Sequence, residues 1–220
     1  MPGRRTEPET VAIDDRGSFS WVERGPALRA SSAIALGGGC IVCDPVDWPG
    51  LDAALEPIGP PAAVWTLLSR HRRDGAAVAA RHGVPFLSPA QVRAATPPAG
   101  VQVRLVAGSR TRTTELALWL PDRGLLVSPE TFGTVPWFRA REGDRLGVHP
   151  IARLRPPRAA FAGIVPATIA VGHGGPLRDD AAAAIADALR SARADLPRAY
   201  VRIAVLTVTA LLRRRAASRA

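Results

Sequence analysis

The chain has 220 residues, 47% of them hydrophobic, which is enough for one large domain with a sizeable core. Its net charge of +10 is carried by arginine alone, because the sequence contains no lysine. The arginines are scattered and lack the interleaved aromatic residues of a single-strand binder, which argues against a nucleic-acid partner.

Residues 1–10 read as a disordered leader. Met1-Pro2-Gly3-Arg4-Arg5 has no apolar signal core and Arg4-Arg5 alone is no twin-arginine signal, so the expectation is a cytoplasmic protein. Two short strand-like runs follow between Val11 and Val22, separated by the turn Asp15-Arg16-Gly17. Ser31 to Leu36 and Cys40 to Cys43 then form a hairpin around Gly37-Gly38-Gly39. Cys40 and Cys43 are spaced Cys-x-x-Cys, but residues three apart on a strand face opposite sides. They read as two buried thiols in a reducing compartment rather than a disulfide or zinc pair. Asp44-Pro45 leaves the sheet, and Trp48 to Leu55 supplies a helix.

The stretch that organises the chain comes next. Ala62 to Leu68 is short and bulky enough to be a buried strand. It runs into the polar turn Ser69-Arg70-His71-Arg72-Arg73-Asp74-Gly75, and then into an alanine-rich helix, Ala76 to His82, stopped by Gly83. A polar cluster at the exit of a buried strand is where open α/β sheets keep their chemistry. Further on, Gln91 to Ala99 reads as a short helix and loop, and Val101 to Val106, Thr114 to Leu120 and Gly124 to Ser128 as strands. The segment from Gly133 to Arg158, with Trp137, Phe138 and His149, lacks periodicity and reads as a long ordered loop or a pair of short helices over the mouth of the site. A last strand, Thr168 to Val171, ends in Gly172-His173-Gly174, and Asp179 to Arg193 is an amphipathic helix. The tail from Tyr200 to Leu212 is apolar, too short to span a bilayer, and followed by Arg213-Arg214-Arg215. The organisation expected is a leader (1–10), a single domain (11–196) and an apolar and basic C-terminal tail helix (197–220).

This order of events resembles the metallo-β-lactamase-fold hydrolases, whose signature His-x-His-x-Asp-His sits at such a strand-to-helix turn. Asp74 matches the signature aspartate, whereas the three ligand histidines fall on Arg70, Arg72 and Gly75, and His71 occupies a position the signature leaves free. The Asp44-Pro45 exit also matches. Of the family's two later ligand turns, the first becomes Gly108-Ser109-Arg110-Thr111 without a histidine. The second becomes Ser128-Pro129-Glu130-Thr131, with Glu130 in place of an aspartate. Gly172-His173-Gly174 keeps the last ligand histidine. The fold implied is α+β, of αββα type: two mixed β-sheets packed face to face, with helices on the outer faces.

The candidate pocket residues are therefore Arg70, His71, Arg72, Asp74, Glu130 and His173, with His149 more remote. Each also has a plainer reading. Asp74 precedes a helix and can cap it. Glu130 can pair with an arginine, His71 can point into solvent, and His173 can merely hydrogen-bond Asp74 or Glu130. The reading favoured at this point is a binding protein or pseudo-hydrolase without cofactor or metal, whose arginine-lined pocket takes an anionic small molecule. One alternative is a hydrolase of esters, thioesters or phosphodiesters with a single zinc, manganese or iron ion on His71, Asp74, Glu130 and His173. Another is an interaction module acting through residues 200–215 at a membrane surface or a protein.

Overall fold

The computed structural model describes residues 7–71, 73–107 and 113–217. Its first sheet is built from β1 (Glu9–Ala12), β2 (Phe19–Val22), β3 (Ala30–Leu36), β4 (Gly39–Cys43), β5 (Pro61–Trp65) and β6 (Phe86–Leu87), in that order across the sheet. The first four strands form an antiparallel meander, and β4, β5 and β6 run parallel. Parallel neighbours need crossovers, which α1 (Leu51–Leu55) and α2 (Gly75–His82) provide. Gly83 ends α2 in the left-handed region, φ 64°, where a side chain would be strained. Next, α3 (Pro89–Ala94) begins with a capping box, the Ser88 and Gln91 side chains each serving the other's backbone N–H.

The second half contributes β7 (Gln102–Ala107), β8 (Glu115–Leu120), β9 (Leu125–Ser128), the short pair β10 (Phe132–Gly133) and β11 (Gly147–Val148), and β12 (Thr168–Val171). The second sheet has the order β12-β9-β8-β7, with β12 parallel to β9 and the others antiparallel. Helices α4 (Ala181–Ser191) and α5 (Leu196–Ala217) close the chain.

Side-chain alternation assigns each strand face to a layer. On β8, Leu116, Leu118 and Leu120 point at the first sheet, meeting Ile34, Ile41 and Trp65 in the core between the sheets. Ala117 and Trp119 of the same strand point outward, into a cluster with Ile185 and Leu189 of α4. On the far side of the first sheet, Trp21, Val42 and Val64 pack against Leu51 and Leu55 of α1 and Val78 of α2. The result is the expected layering of helix, sheet, sheet and helix. Each fully buried leucine of the central core contributes roughly 1.5–3 kcal/mol. Cys40 and Cys43 divide between the outer and inner clusters, as their strand spacing predicts, and both thiols are free. Burial pushes the Cys40 thiol up to about 11, which leaves it inert as a nucleophile at neutral pH.

Three segments differ from the sequence reading. Strand β1 starts inside the stretch read as a disordered leader, because Glu9 and Thr10 pair with Val22 and Trp21. Helix α1 starts at Leu51 rather than Trp48: Pro49 and Gly50 turn the chain, with Leu51 N–H donating to Trp48 O at 3.1 Å. The segment read as a long loop or short helices contains the β10–β11 pair and a 3-10 turn at Pro150–Ala152. The first turns of the C-terminal helix engage the domain. Ala199 is buried, and Arg202 donates to Pro136 O at 3.2 Å. Beyond them Val201, Val205, Val208 and Leu212 expose a stripe along one side, more than half of each residue's surface. No helix among the described residues is long and apolar enough to cross a membrane.

Candidate functional site

Four strand ends converge at one edge of the sandwich. β4 delivers Asp44, β5 leads into the turn carrying Arg70 to Asp74, β9 leads to Glu130, and β12 leads to His173. The two sheets are stitched together there, since Ala30 N–H donates to Gly172 O at 2.8 Å and Arg29 forms a β-bridge with His173. Only glycine fits at Gly172, where a Cβ would lie 1.8 Å from Pro129 O. Arg73 reinforces the same junction. Its buried guanidinium donates to Ala30 O, to Asp44 O at 3.0 Å and to Gly172 O at 3.0 Å, tying the start of β3 to the ends of β4 and β12. An arginine engaged with three carbonyls is a structural clamp.

Glu130 is the hub. His71 Nε2 and His173 Nε2 approach its Oε2 at 3.3 and 3.4 Å, while His149 Nε2 and the Arg70 guanidinium approach Oε1, each at 3.2 Å. Burial alone would raise the Glu130 pKa, but the hydrogen bonds from His173 and His71 and the nearby charges hold it well below the usual carboxylate range. Trp137 and Phe138 wall this cluster, their ring centroids 5.3 and 5.8 Å from His173 and 5.8 and 5.2 Å from His149.

What lies behind each ring fixes its tautomer. His173 Nδ1 is 2.9 Å from Ala27 O, and a carbonyl only accepts, so Nδ1 carries a proton. His71 Nδ1 is 3.1 Å from Asp44 Oδ2, off the straight line of an ideal hydrogen bond but close enough to hold the proton on that side. His149 is the reverse: its Nδ1 accepts the Ile151 N–H at 3.2 Å, so in the neutral ring Nε2 carries the proton, 3.2 Å from Glu130 Oε1. Burial and the Arg70 charge keep His149 below its ordinary pKa against the pull of Glu130. For His71 the balance goes the other way. Burial disfavours the charged ring, yet Asp44 and Glu130 outweigh it and raise its pKa.

His71 Nε2, His173 Nε2 and a Glu130 oxygen thus lie within 4.8 Å of one another. With both rings neutral, two lone pairs would face an anionic oxygen; the Arg73 guanidinium, its Nη2 3.5 Å from His71 Nε2, offsets part of that repulsion, and protons on the rings or a metal ion would offset the rest. Two imidazoles held from behind by a carboxylate and a carbonyl, plus one carboxylate, match a single-ion His₂-carboxylate donor set. The residues present therefore fit one divalent ion, held by His71, Glu130 and His173.

Of the candidates read from sequence, the fold brings Arg70, His71, Glu130 and His173 together. Arg72 and the turn at residues 108–111 lie outside the described residues. Asp74 heads α2 without capping it; its Oδ2 accepts the Asp47 N–H at 2.9 Å, and it is not part of the His71–Glu130–His173 group. His149, read as remote, is in direct contact with Glu130. Two further residues went unrecognised. Asp44 was visible only as an Asp-Pro exit, although its left-handed φ of 45° aims the carboxylate back at His71. Glu115, buried beneath the hub, accepts both the Thr131 N–H and hydroxyl (2.8 and 2.9 Å) and the Glu130 N–H (3.3 Å). Its only sequence signal was an acidic residue opening an otherwise apolar strand.

No protein-family model matches the chain, and no curated protein matches it. Solved structures do. A metallo-β-lactamase from Erythrobacter litoralis with β-mercaptoethanol in its active site superposes with a TM-score of 0.60 at 16% identity, covering 86% of this chain and 97% of that one. The metallo-β-lactamase DIM-1 gives 0.60 at 12%, covering 89% and 99%. The chain has the metallo-β-lactamase fold. An Erythrobacter litoralis metallo-β-lactamase in its mono-zinc form gives 0.55 at 14%, covering 90% and 98%. At these identities the likeness establishes the architecture and leaves the chemistry to the residues of this chain.

Proposed function

We propose that this metallo-β-lactamase-fold protein is a hydrolase built around a single divalent metal ion. The observation that carries the reading is the facing of His71 Nε2, His173 Nε2 and Glu130 Oε2, with both rings held from behind. An ion bound there would lower the pKa of a bound water toward about 7 and polarise a carbonyl or phosphoryl oxygen. The chain's residues do the positioning. Asp44 and Ala27 O keep the Nδ1 protons in place, so that Nε2 of each ring is the ligand atom. His149 Nε2 lies 3.2 Å from Glu130 Oε1 and occupies that oxygen, which leaves Oε2 to the two rings. Arg70, half exposed at the rim, offers its charge to negative charge developing on a substrate. Trp137 and Phe138 exclude water on one side.

The test is metal content after purification without chelator, then again after incubation with zinc, manganese or iron and desalting. The expected result is about one ion per chain, absent from His173→Ala, together with metal-dependent cleavage of an ester, thioester or phosphodiester. No retained ion under any of these conditions would overturn the reading. One observation favours a metal-free binding protein instead: the same space is equally satisfied by protons on His71 and His173 against the anionic Glu130. In that case Arg73 stays a clamp on its carbonyls, and Arg70 faces the pocket.

A further inference from the structure

Beside the hub lies a groove of about 380 Å³, within the roughly 300–1,000 Å³ range of small-molecule sites. It begins at Arg70, Glu130 and His149, and is therefore continuous with the candidate metal centre. Most of its wall is apolar, with Leu68 and Val106 from the strand side and Ile151, Leu154 and Pro157 from the segment after β11. Two of these residues are open to solvent to an unusual degree, Ile151 at 72% and Leu154 at 56% exposed. Large aliphatic side chains left bare along a groove lose hydration cost when a ligand covers them.

The groove also holds two cations in different circumstances. Arg70 is already paired with Glu130. Arg155, by contrast, makes no side-chain hydrogen bond or ion pair among the described residues, and of the two acids in the lining Glu130 is engaged by its histidines and Arg70 and Glu115 by Thr131. An unpaired guanidinium over an apolar wall is complementary to a molecule that carries one negative group on an apolar chain.

We propose that the groove binds an amphiphilic anion, such as a medium-chain acyl compound bearing a carboxylate, its chain against Leu68, Ile151 and Leu154 and its charge on Arg155. Binding of this class needs only the groove. That such a molecule is also the substrate rests on the hydrolase reading above, with the bond to be cleaved placed at the Glu130 and His149 end.

The experiment uses the full chain freed of metal by chelator, so that binding is read without catalysis, and titrates it calorimetrically with decanoate and with neutral decanamide. Decanoate is expected to bind about tenfold or more tightly than decanamide. Arg155→Ala should remove that preference while leaving decanamide unchanged, and Leu154→Asp should weaken both ligands. Both positions are exposed, so each variant is expected to keep the wild-type near-ultraviolet circular dichroism. Equal affinity for the two ligands, or a preference for decanoate that survives Arg155→Ala, would overturn the proposal, as would no binding of either ligand at millimolar concentration. A chain that retains metal but ignores decanoate sinks only this inference. A chain that binds decanoate but holds no metal sinks only the hydrolase reading.

Discussion

Two buried carboxylates, Glu115 and Glu130, sit in adjoining layers of the same site and behave in opposite ways. Glu130 lies at the exit of β9, where three histidines and Arg70 surround it, and its pKa is pulled down despite burial. Glu115 opens β8 directly beneath, where its partners are two backbone N–H groups and the Thr131 hydroxyl. Burial dominates there, the Glu130 charge adds to it, and the Glu115 pKa is pushed up to about 7. Burial by itself therefore does not decide the state of an acid in this protein. Hydrogen bonds from His173 and His71 and the charges beside them overcome desolvation at Glu130, while the neutral donors around Glu115 fail to do so. The upper layer can serve a cation, and the lower layer is scaffolding for it.

The contrast can be broken most sharply at Glu130. Glu130→Gln keeps the shape but removes the anion, so the ion retained after zinc loading should fall from about one per chain to a trace, read by elemental analysis. Retention unchanged from wild type would remove Glu130 from the ligand set.

Glu115→Gln should leave the centre in place and change only the pH dependence of stability. The folded pKa of Glu115 lies above its unfolded value of about 4.3, so the folded state holds an extra proton between the two. Stability is therefore lost as pH rises through that window, and the penalty is complete above about pH 7 to 8. Gln has no such proton, and its amide can donate to the Thr131 hydroxyl oxygen. Between pH 5 and 8 the variant should gain on the order of 3 kcal/mol relative to wild type, seen in urea denaturation at both pH values. A constant difference across that range would mean Glu115 titrates normally.

Asp44→Asn probes the support behind His71. Leu67 N–H needs the oxygen that Asp44 Oδ1 supplies at 3.2 Å, which turns the new amide N–H toward His71 Nδ1 and moves the ring proton to Nε2. Metal affinity should drop by roughly 10–100-fold with folding intact, because asparagine tolerates the left-handed backbone at this position. The smallest effect is expected at His149. His149→Phe removes the contact with Glu130 and the acceptor of the Ile151 N–H, and metal affinity measured by competition with a chromogenic chelator should fall by less than about tenfold. If His149→Phe costs as much as Glu130→Gln, then His149 is itself a ligand and the tautomer assigned from Ile151 is reversed.

Much of the architecture was legible in the sequence because it rests on local pattern. The alternation of β7, the glycine hairpin between β3 and β4, the helix stop at Gly83 and the exits at Asp44-Pro45 and Gly172-His173-Gly174 each state their own conformation. His71, Glu130 and His173 were legible because each follows a strand end. What escaped was held by pairings with no local pattern. The β10–β11 pair has two residues per strand, too few to show a period, yet it carries His149 into the site. Asp74 looked like a cap by position, but the Asp47 backbone claims its carboxylate.

Residue types and their spacing placed by themselves most of the strands and helices and the polar groups at the strand exits, while the layered sandwich was what the family resemblance implied. Apolar periodicity is a property of neighbours in the chain, and it alone decides which faces are buried. The tertiary structure decided which of those polar groups meet. Asp44, His71, Glu130, His149 and His173 come from five separate segments, and their protonation follows from what each finds across the sheets. Arg73, which the sequence showed only as part of the polar turn, became a clamp for the same reason: the carbonyls of Ala30, Asp44 and Gly172 lay within its reach at the junction of the sheets.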